Sequence, residues 1–301
     1  MNHSSAVFGF DVNTPFPLRT ARDGHGTDHL LVETSNGNKP ETGPRLLNWS
    51  PGPGNPLDAR LSEYPGSGYV LEIADAGTYV IQPEEKRVTV PVMPDIPLRE
   101  ARLLGLPLML CFLARGEASL HGAAVMGPSG AIVLAAPGRH GKTSLVATLA
   151  RDGHRLLTED LCCLGARGEI TLYPGPASLR VREDMAPYLL PVDGMREIGR
   201  LDDRLVLAAT DPGDGDPVPV AGVVLLKGFE ETLSLQQVEP LKSLPDLWLL
   251  SFHLPTEEDR ARKFSQLVDL VDSVPVWELT QPNDPEAIHD TAETVITTVC
   301  R

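Results

Sequence analysis

Residues Ala136-Pro137-Gly138-Arg139-His140-Gly141-Lys142-Thr143 bring small residues, a lysine and a hydroxyl together at the spacing of a polyphosphate cradle, G-x-x-x-x-G-K-[ST], with alanine in place of the first glycine. Small, permissive positions let main-chain N–H groups turn inward around phosphate oxygens. A helix starting near Lys142 would aim its positive end at the same anion. In this reading Lys142 reaches the β- and γ-phosphates, the Thr143 hydroxyl is a ligand for Mg²⁺, and Ser144 closes the cofactor-binding run. Arg139 either adds positive charge beside the phosphates or is simply solvated. The expected cofactors are ATP, or another nucleoside triphosphate, and Mg²⁺.

Glu159-Asp160 is the second element, at the end of the expected strand Arg155–Thr158. Phosphoryl transfer needs one carboxylate near the metal and another to accept the proton of the acceptor hydroxyl. Two adjacent acids beside a phosphate loop can supply both, Glu159 at the metal and Asp160 at the hydroxyl. A solvated turn pair is the alternative, but the apolar run Leu161-Cys162-Cys163-Leu164 follows directly. His121, in Leu120-His121-Gly122-Ala123-Ala124-Val125, is by its surroundings alone more often a structural histidine. Among Arg180, Arg182, Arg200 and Arg204, one or two can clamp transferring oxygens, with Arg204 favoured, the others being surface charges.

Other combinations are discounted. His25 and His29 are four apart, but Gly24 and Gly26 argue against a helix presenting both to a metal. Asp211, Asp214 and Asp216 lie in a Gly/Pro-rich turn without EF-hand spacing, although an acidic loop can hold a basic peptide. Trp248 and Phe252, four apart on an expected helix, read as core. No G-x-S-x-G elbow is present.

The elements that must carry these residues are legible mainly in the centre. Ala131–Ala136 is an apolar run of buried-strand type, and Lys142–Arg151 puts Leu145, Leu149 and Ala150 on one helical face before Gly153. Arg155–Thr158 and Leu161–Leu164 read as strands, with a Gly165–Gly168 turn into Glu169–Tyr173. The β-loop-α-β unit thus passes into antiparallel structure. Leu205–Ala208, Val220–Leu226 and Val274–Leu279 are further strands. Thr256 caps a helix to Ser273 with Ala261, Phe264, Leu267, Val268 and Val271 inward, and Asp284-Pro285 opens a last helix with Ile288, Val295, Ile296 and Val299 inward. Before residue 98, Leu30–Glu33, Tyr69–Ile73, Thr78–Ile81 and Lys86–Val92 are short strands around an irregular stretch, Ser35–Pro56. Leu98–Arg115 reads as a helix kinked or split by Pro107. The expected fold class is α/β with α+β elements: a strand-rich module, 1–98, and a catalytic domain, 99–301, of mixed sheet and helices.

The order LHGAAV, APGRHGKTS, DGHRLLTED resembles the catalytic domain of the HPr kinase/phosphorylase family and its shorter HPr-kinase-like relatives. His121 and Lys142 are 21 positions apart, and Thr143 and Asp160 are 17 apart, as the resemblance requires. The likeness is sharp over 120–165 and weaker, through PGPASLRV, to the C-terminus. It implies that His121 is the active-site histidine, Lys142 the loop lysine, Thr143 the Mg²⁺-binding hydroxyl and Asp160 the proton acceptor. Glu159 stands where that family has Asp, and Glu183 is the nearest candidate for a second acidic metal ligand. The N-terminal module resembles that of short relatives associated with modified-peptide gene clusters, such as those for lasso peptides, and relatives of this kind form homo-oligomers.

Twenty-six basic against 41 acidic residues give a net charge of −15 over 301 residues, which disfavours nucleic acid and anionic membrane as partners and fits a basic one. Four cysteines, Cys111, Cys162, Cys163 and Cys300, lack the spacing of a disulfide framework or zinc site. The longest apolar run, Leu103–Leu113, is too short to span a bilayer, and the first residues show no secretory signal, so the expected location is the cytoplasm. The expected activity is Mg-dependent transfer of the γ-phosphoryl group of ATP to a hydroxyl, serine first, of a peptide or small protein. The alternatives are a small-molecule (amino acid or sugar) kinase, or a nucleotide-binding regulatory or recognition protein without transfer.

Overall fold

The computed structural model describes residues 2–24, 26–50, 57–165 and 168–300. His25, residues 51–56 of the expected irregular stretch, and residues 166 and 167 of the expected Gly165–Gly168 turn lie outside them.

Eight strands, β1 (His3–Val7), β2 (Phe10–Thr14), β3 (Asp28–Thr34), β4 (Arg45–Trp49), β5 (Ala59–Glu63), β6 (Tyr69–Ile73), β7 (Gly77–Gln82) and β8 (Arg87–Val90), form one sheet in the order β1-β2-β3-β8-β7-β6-β5-β4. β2–β3 and β3–β8 run parallel and the other pairs antiparallel. The four short strands expected here are all present. Arg45–Trp49, expected as irregular, pairs instead with β5. The β1–β2 turn passes through left-handed conformations at Phe8 and Gly9. A side chain at Gly9 would meet the Tyr173 ring at 2.7 Å, so glycine lets this hairpin press against the central sheet.

The expected Leu98–Arg115 helix is two helices, α1 (Ile96–Leu103), capped by the Asp95 carboxylate, and α2 (Leu106–Arg115). The chain breaks at Leu104-Gly105, and Pro107 lies in the first turn of α2, where its missing N–H costs nothing. Leu103, Leu108 and Phe112 join Phe8, Val12, Leu61 and Ile81 in one hydrophobic cluster.

The chain then runs through β9 (Ala118–Leu120), β10 (Gly122–Gly127), β11 (Gly130–Ala135), α3 (Lys142–Arg151), β12 (Leu156–Thr158), β13 (Cys162–Gly165) and β14 (Thr171–Tyr173). A small antiparallel sheet follows: β15 (Ser178–Arg182), α4 (Ala186–Leu189), β16 (Met195–Leu201) and β17 (Arg204–Ala209), with β17 in the middle. Next come β18 (Val218–Phe229), β19 (Ser234–Gln237), α5 (Pro240–Leu249), α6 (Glu257–Ser273), β20 (Val276–Gln281) and α7 (Ile288–Val299). The central sheet has the order β12-β10-β11-β18-β14-β13-β9, with β20 on β18 and β19 on β20. Only β11–β18 and β18–β20 are parallel, so the β11-loop-α3 unit does pass into antiparallel structure. The architecture is α/β, of mixed sheets and helices.

Two local expectations change. Ala261 and Phe264 are exposed, Phe264 at 55%, and α6 buries Lys263 and Leu270 along with Leu267 and Val271. Phe252 lies beyond the end of α5. All four cysteines are free, and Cys162 and Cys163 face different hydrophobic clusters, as adjacent strand residues must. No helix among the described residues is long and apolar enough to cross a membrane.

One buried arginine ties the N-terminal segment to the central sheet. Arg22 donates to the carbonyls of Leu156 and Leu157, both at 2.7 Å, to Gly175 O at 2.9 Å and to Pro212 O. Burial pulls its pKa down to about 10. Because Leu156 and Leu157 belong to β12, this tie anchors the strand that delivers Glu159 and Asp160.

Candidate active site

β11 ends at Ala135, and from the buried Ala136 the chain turns through Pro137–Gly141 into α3. Arg139 and Gly141 are left-handed, at φ 68° and 87°. A Cβ at Gly141 would lie 2.6 Å from Gln281 Nε2, which donates to His140 O at 3.2 Å. The end of β20 therefore pins the loop, and only glycine fits beneath it. Gly141 is also the N-cap of α3 and offers no side chain to the first-turn amides, which leaves them available to an anion.

Lys142 is buried at the mouth of this loop. Its ammonium donates to Ala136 O at 2.6 Å and Pro137 O at 3.0 Å, and lies 3.1 Å from His121 Nε2. His121 Nδ1 is 3.0 Å from the carbonyl oxygen of Asp160. A carbonyl can only accept, so Nδ1 carries the proton and Nε2 is left as an acceptor for the lysine. Burial pushes the His121 pKa down to about 4, with Lys142 and Arg180 adding to the shift, so the imidazole is neutral near pH 7. Burial likewise pushes Lys142 down to about 8, against the opposing pull of Glu159.

The acid pair meets the first turn of α3. Thr143 Oγ1 donates to Glu159 Oε1 at 2.9 Å. Glu159 Oε2 accepts from the Arg180 main-chain N–H at 2.8 Å, with Arg180 Nε at 3.4 Å, and Arg180 Nη2 pairs with the Asp160 carboxylate. Asp160 is left-handed at φ 65°, an uncommon state for a non-glycine residue. The turn is closed by Leu161 N donating to Glu159 O at 2.8 Å and Thr158 Oγ1 donating to Leu161 O at 2.7 Å. Backbone of this kind collects at functional sites, where the surrounding structure holds it.

These groups line one cavity of about 810 Å³ between the N-terminal sheet, the loop and the small sheet. Pro137, Gly138, Arg139, Gly141, Lys142, Thr143, Ser144, His121, Glu159, Asp160 and Arg204 all reach it. Ala136 lies buried beneath and contributes its carbonyl. His140 Nδ1 is 3.0 Å from Gly138 O of its own loop, and its side chain is not part of the cavity wall. Glu183 is not brought to the loop. It lies just past the end of β15, paired with Arg200 at the surface and away from the cavity wall. The residue that sequence reasoning undervalued is Arg180. The alternation Ser178, Arg180, Arg182 along β15, all three lining the cavity, was the available signal.

The oxygens of Thr143 and Glu159 fit Mg²⁺, a hard cation that takes few protein ligands and completes its shell with phosphate oxygens and water. Among the described residues, no cluster of three or more His, Cys, Asp or Glu side chains forms a metal cage, so phosphate oxygens would have to share the ion.

No protein-family model matches the chain, and no curated protein matches it. Among solved structures, the chain is similar to the HPr(Ser) kinase/phosphatase of Coxiella burnetii, at 10% identity and a TM-score of 0.31, over 58% of this chain and 94% of that one. A likeness at that level carries no argument about function.

Proposed function

We propose that the chain is an ATP-dependent kinase that transfers the γ-phosphoryl group to a hydroxyl, serine first, of a peptide or small protein. The reading is carried by the meeting, in one cavity, of a phosphate-type loop with its lysine, a hydroxyl–carboxylate pair fit for Mg²⁺, and a second carboxylate at Asp160. Loop amides, the start of α3 and Lys142 would hold the β- and γ-phosphates. Thr143 and Glu159 would hold Mg²⁺, which would supply charge neutralisation at the phosphate oxygens. Asp160 would accept the proton as the hydroxyl oxygen bonds to γ-phosphorus and the bond to the β-phosphate oxygen breaks. Arg180 now holds Asp160, and an arriving γ-phosphoryl group would compete for that guanidinium and free the carboxylate. Neutral His121 would keep Lys142 aimed without adding a second charge.

The test is incubation of the purified chain with γ-labelled ATP, Mg²⁺ and serine-containing peptides. Label appearing on serine, and lost in Asp160→Asn, supports the reading. ATP bound tightly with no label on any acceptor would favour a nucleotide-binding regulator.

A further inference from the structure

The cavity has a second half that phosphate chemistry leaves unused. Away from the loop it is walled by Trp49, Leu57, Ile73, Met109, Leu249 and Phe252. Trp49 and Phe252 stack with ring centroids 6.1 Å apart and planes 22° from parallel. Leu249 is 80% exposed, large for a leucine beside a cavity.

This wall begins one residue from the reacting groups. The His121 main-chain N–H donates to Leu250 O at 2.6 Å, and the Phe252 N–H donates to Ser119 Oγ at 3.0 Å. The segment Leu249–Phe252 therefore runs along Ser119–His121, while the His121 side chain reaches the loop lysine. Leu161, directly after Asp160, also lines the cavity and packs against the N-terminal cluster.

Of the four carboxylates that line the cavity, Glu100, Glu159 and Asp160 are already bound, and Asp202 is exposed at the turn between β16 and β17. Glu100 accepts from Arg19 N, Thr20 N and Thr20 Oγ1 at 2.8 to 3.0 Å, and Arg180 holds Glu159 and Asp160. A lysine or arginine lying along the apolar wall would lose its hydration beside carboxylates that are already bound, whereas an apolar side chain would cover exposed apolar area. A basic acceptor was expected from the overall charge of the chain, but these surroundings favour an apolar one.

We propose that this wall is a peptide subsite that takes an aromatic or long aliphatic side chain directly beside the serine to be phosphorylated. Its role as an acceptor subsite rests on the kinase reading. The probes are short capped glycine peptides with one serine, flanked on either side by Phe, Leu, Gly, Lys or Asp. Binding is measured by calorimetry without nucleotide, and transfer with ATP and Mg²⁺. The Phe and Leu peptides are expected to bind about tenfold more tightly than the Gly, Lys or Asp peptides. Leu249→Asp, at a side chain exposed enough to spare the fold, is expected to remove that preference, and so is Trp49→Ala. Equal or tighter binding of the Lys or Asp peptides, or an unchanged preference in Leu249→Asp, would overturn the subsite. Apolar preference in binding with no transfer to any peptide would uphold the subsite and overturn the kinase reading instead.

Discussion

The Lys142 ammonium and the His121 imidazole are joined at 3.1 Å, Nζ to Nε2, and with Ala136 O and Pro137 O this uses all three lysine protons. The histidine is oriented in turn by its Nδ1–H on the Asp160 carbonyl. One neutral ring therefore couples the 136–143 loop to the turn carrying the proposed base. His121→Ala is expected to lower kcat about a hundredfold through misplacement of the lysine. Steady-state kinetics, with ATP affinity measured separately by calorimetry, checks this.

Arg180 compensates two acids at once, one of them Glu159, whose side chain is 3% exposed. Arg180→Met strands that buried charge and is expected to cost about 3 kcal/mol in urea denaturation. Adding Glu159→Gln removes the stranded charge, so the double variant should be more stable than Arg180→Met alone.

Asp160→Asn keeps a residue type that tolerates the left-handed backbone, so the turn should persist. Transfer should fall by a factor on the order of 10² to 10⁴ in single-turnover experiments, the usual contribution of a positioned base.

Lys263 gives a pH signature. It is 2% exposed and donates to Phe252 O at 2.6 Å and Ser119 O at 3.3 Å. Burial pushes its pKa from 10.5 to about 7. Between those values the unfolded chain binds more protons than the folded one, so this lysine makes stability rise with pH across that window and adds no slope below about 7. Lys263→Met should remove a slope of up to about 1.4 kcal/mol per pH unit, read as the difference between variant and parent in denaturation at pH 7.5 to 10, roughly the upper window set by the shift.

The legibility of the sequence followed local chemistry. The loop and α3 were readable because glycine, lysine and a hydroxyl at fixed offsets have few other uses, and the Thr143 hydroxyl does meet the Glu159 carboxylate. Arg180 was not singled out because a strand arginine looks like a solvated charge until its partners, 20 and 21 residues earlier, are folded against it. Glu183 failed for the converse reason: its neighbour in space is Arg200, not the loop. On α6 an apolar stripe naturally included Phe264. The carbonyls of Ser119 and Phe252 gave Lys263 a buried place, and the helix turned Phe264 outward. Arg22 carried no signal, since the four carbonyls it joins are main-chain atoms from distant segments. The apolar half of the cavity was equally hidden, because it draws residues from β4, β6, α2 and the end of α5.

Calorimetric titration of Mg-ATP into the parent chain and into Lys142→Met probes the loop at residues 136–143 itself. One saturable site is expected in the parent, with a loss of at least about a hundredfold in affinity when the buried ammonium is removed. Binding of equal strength in both proteins, or none in the parent, would contradict a polyphosphate cradle at residues 136–143.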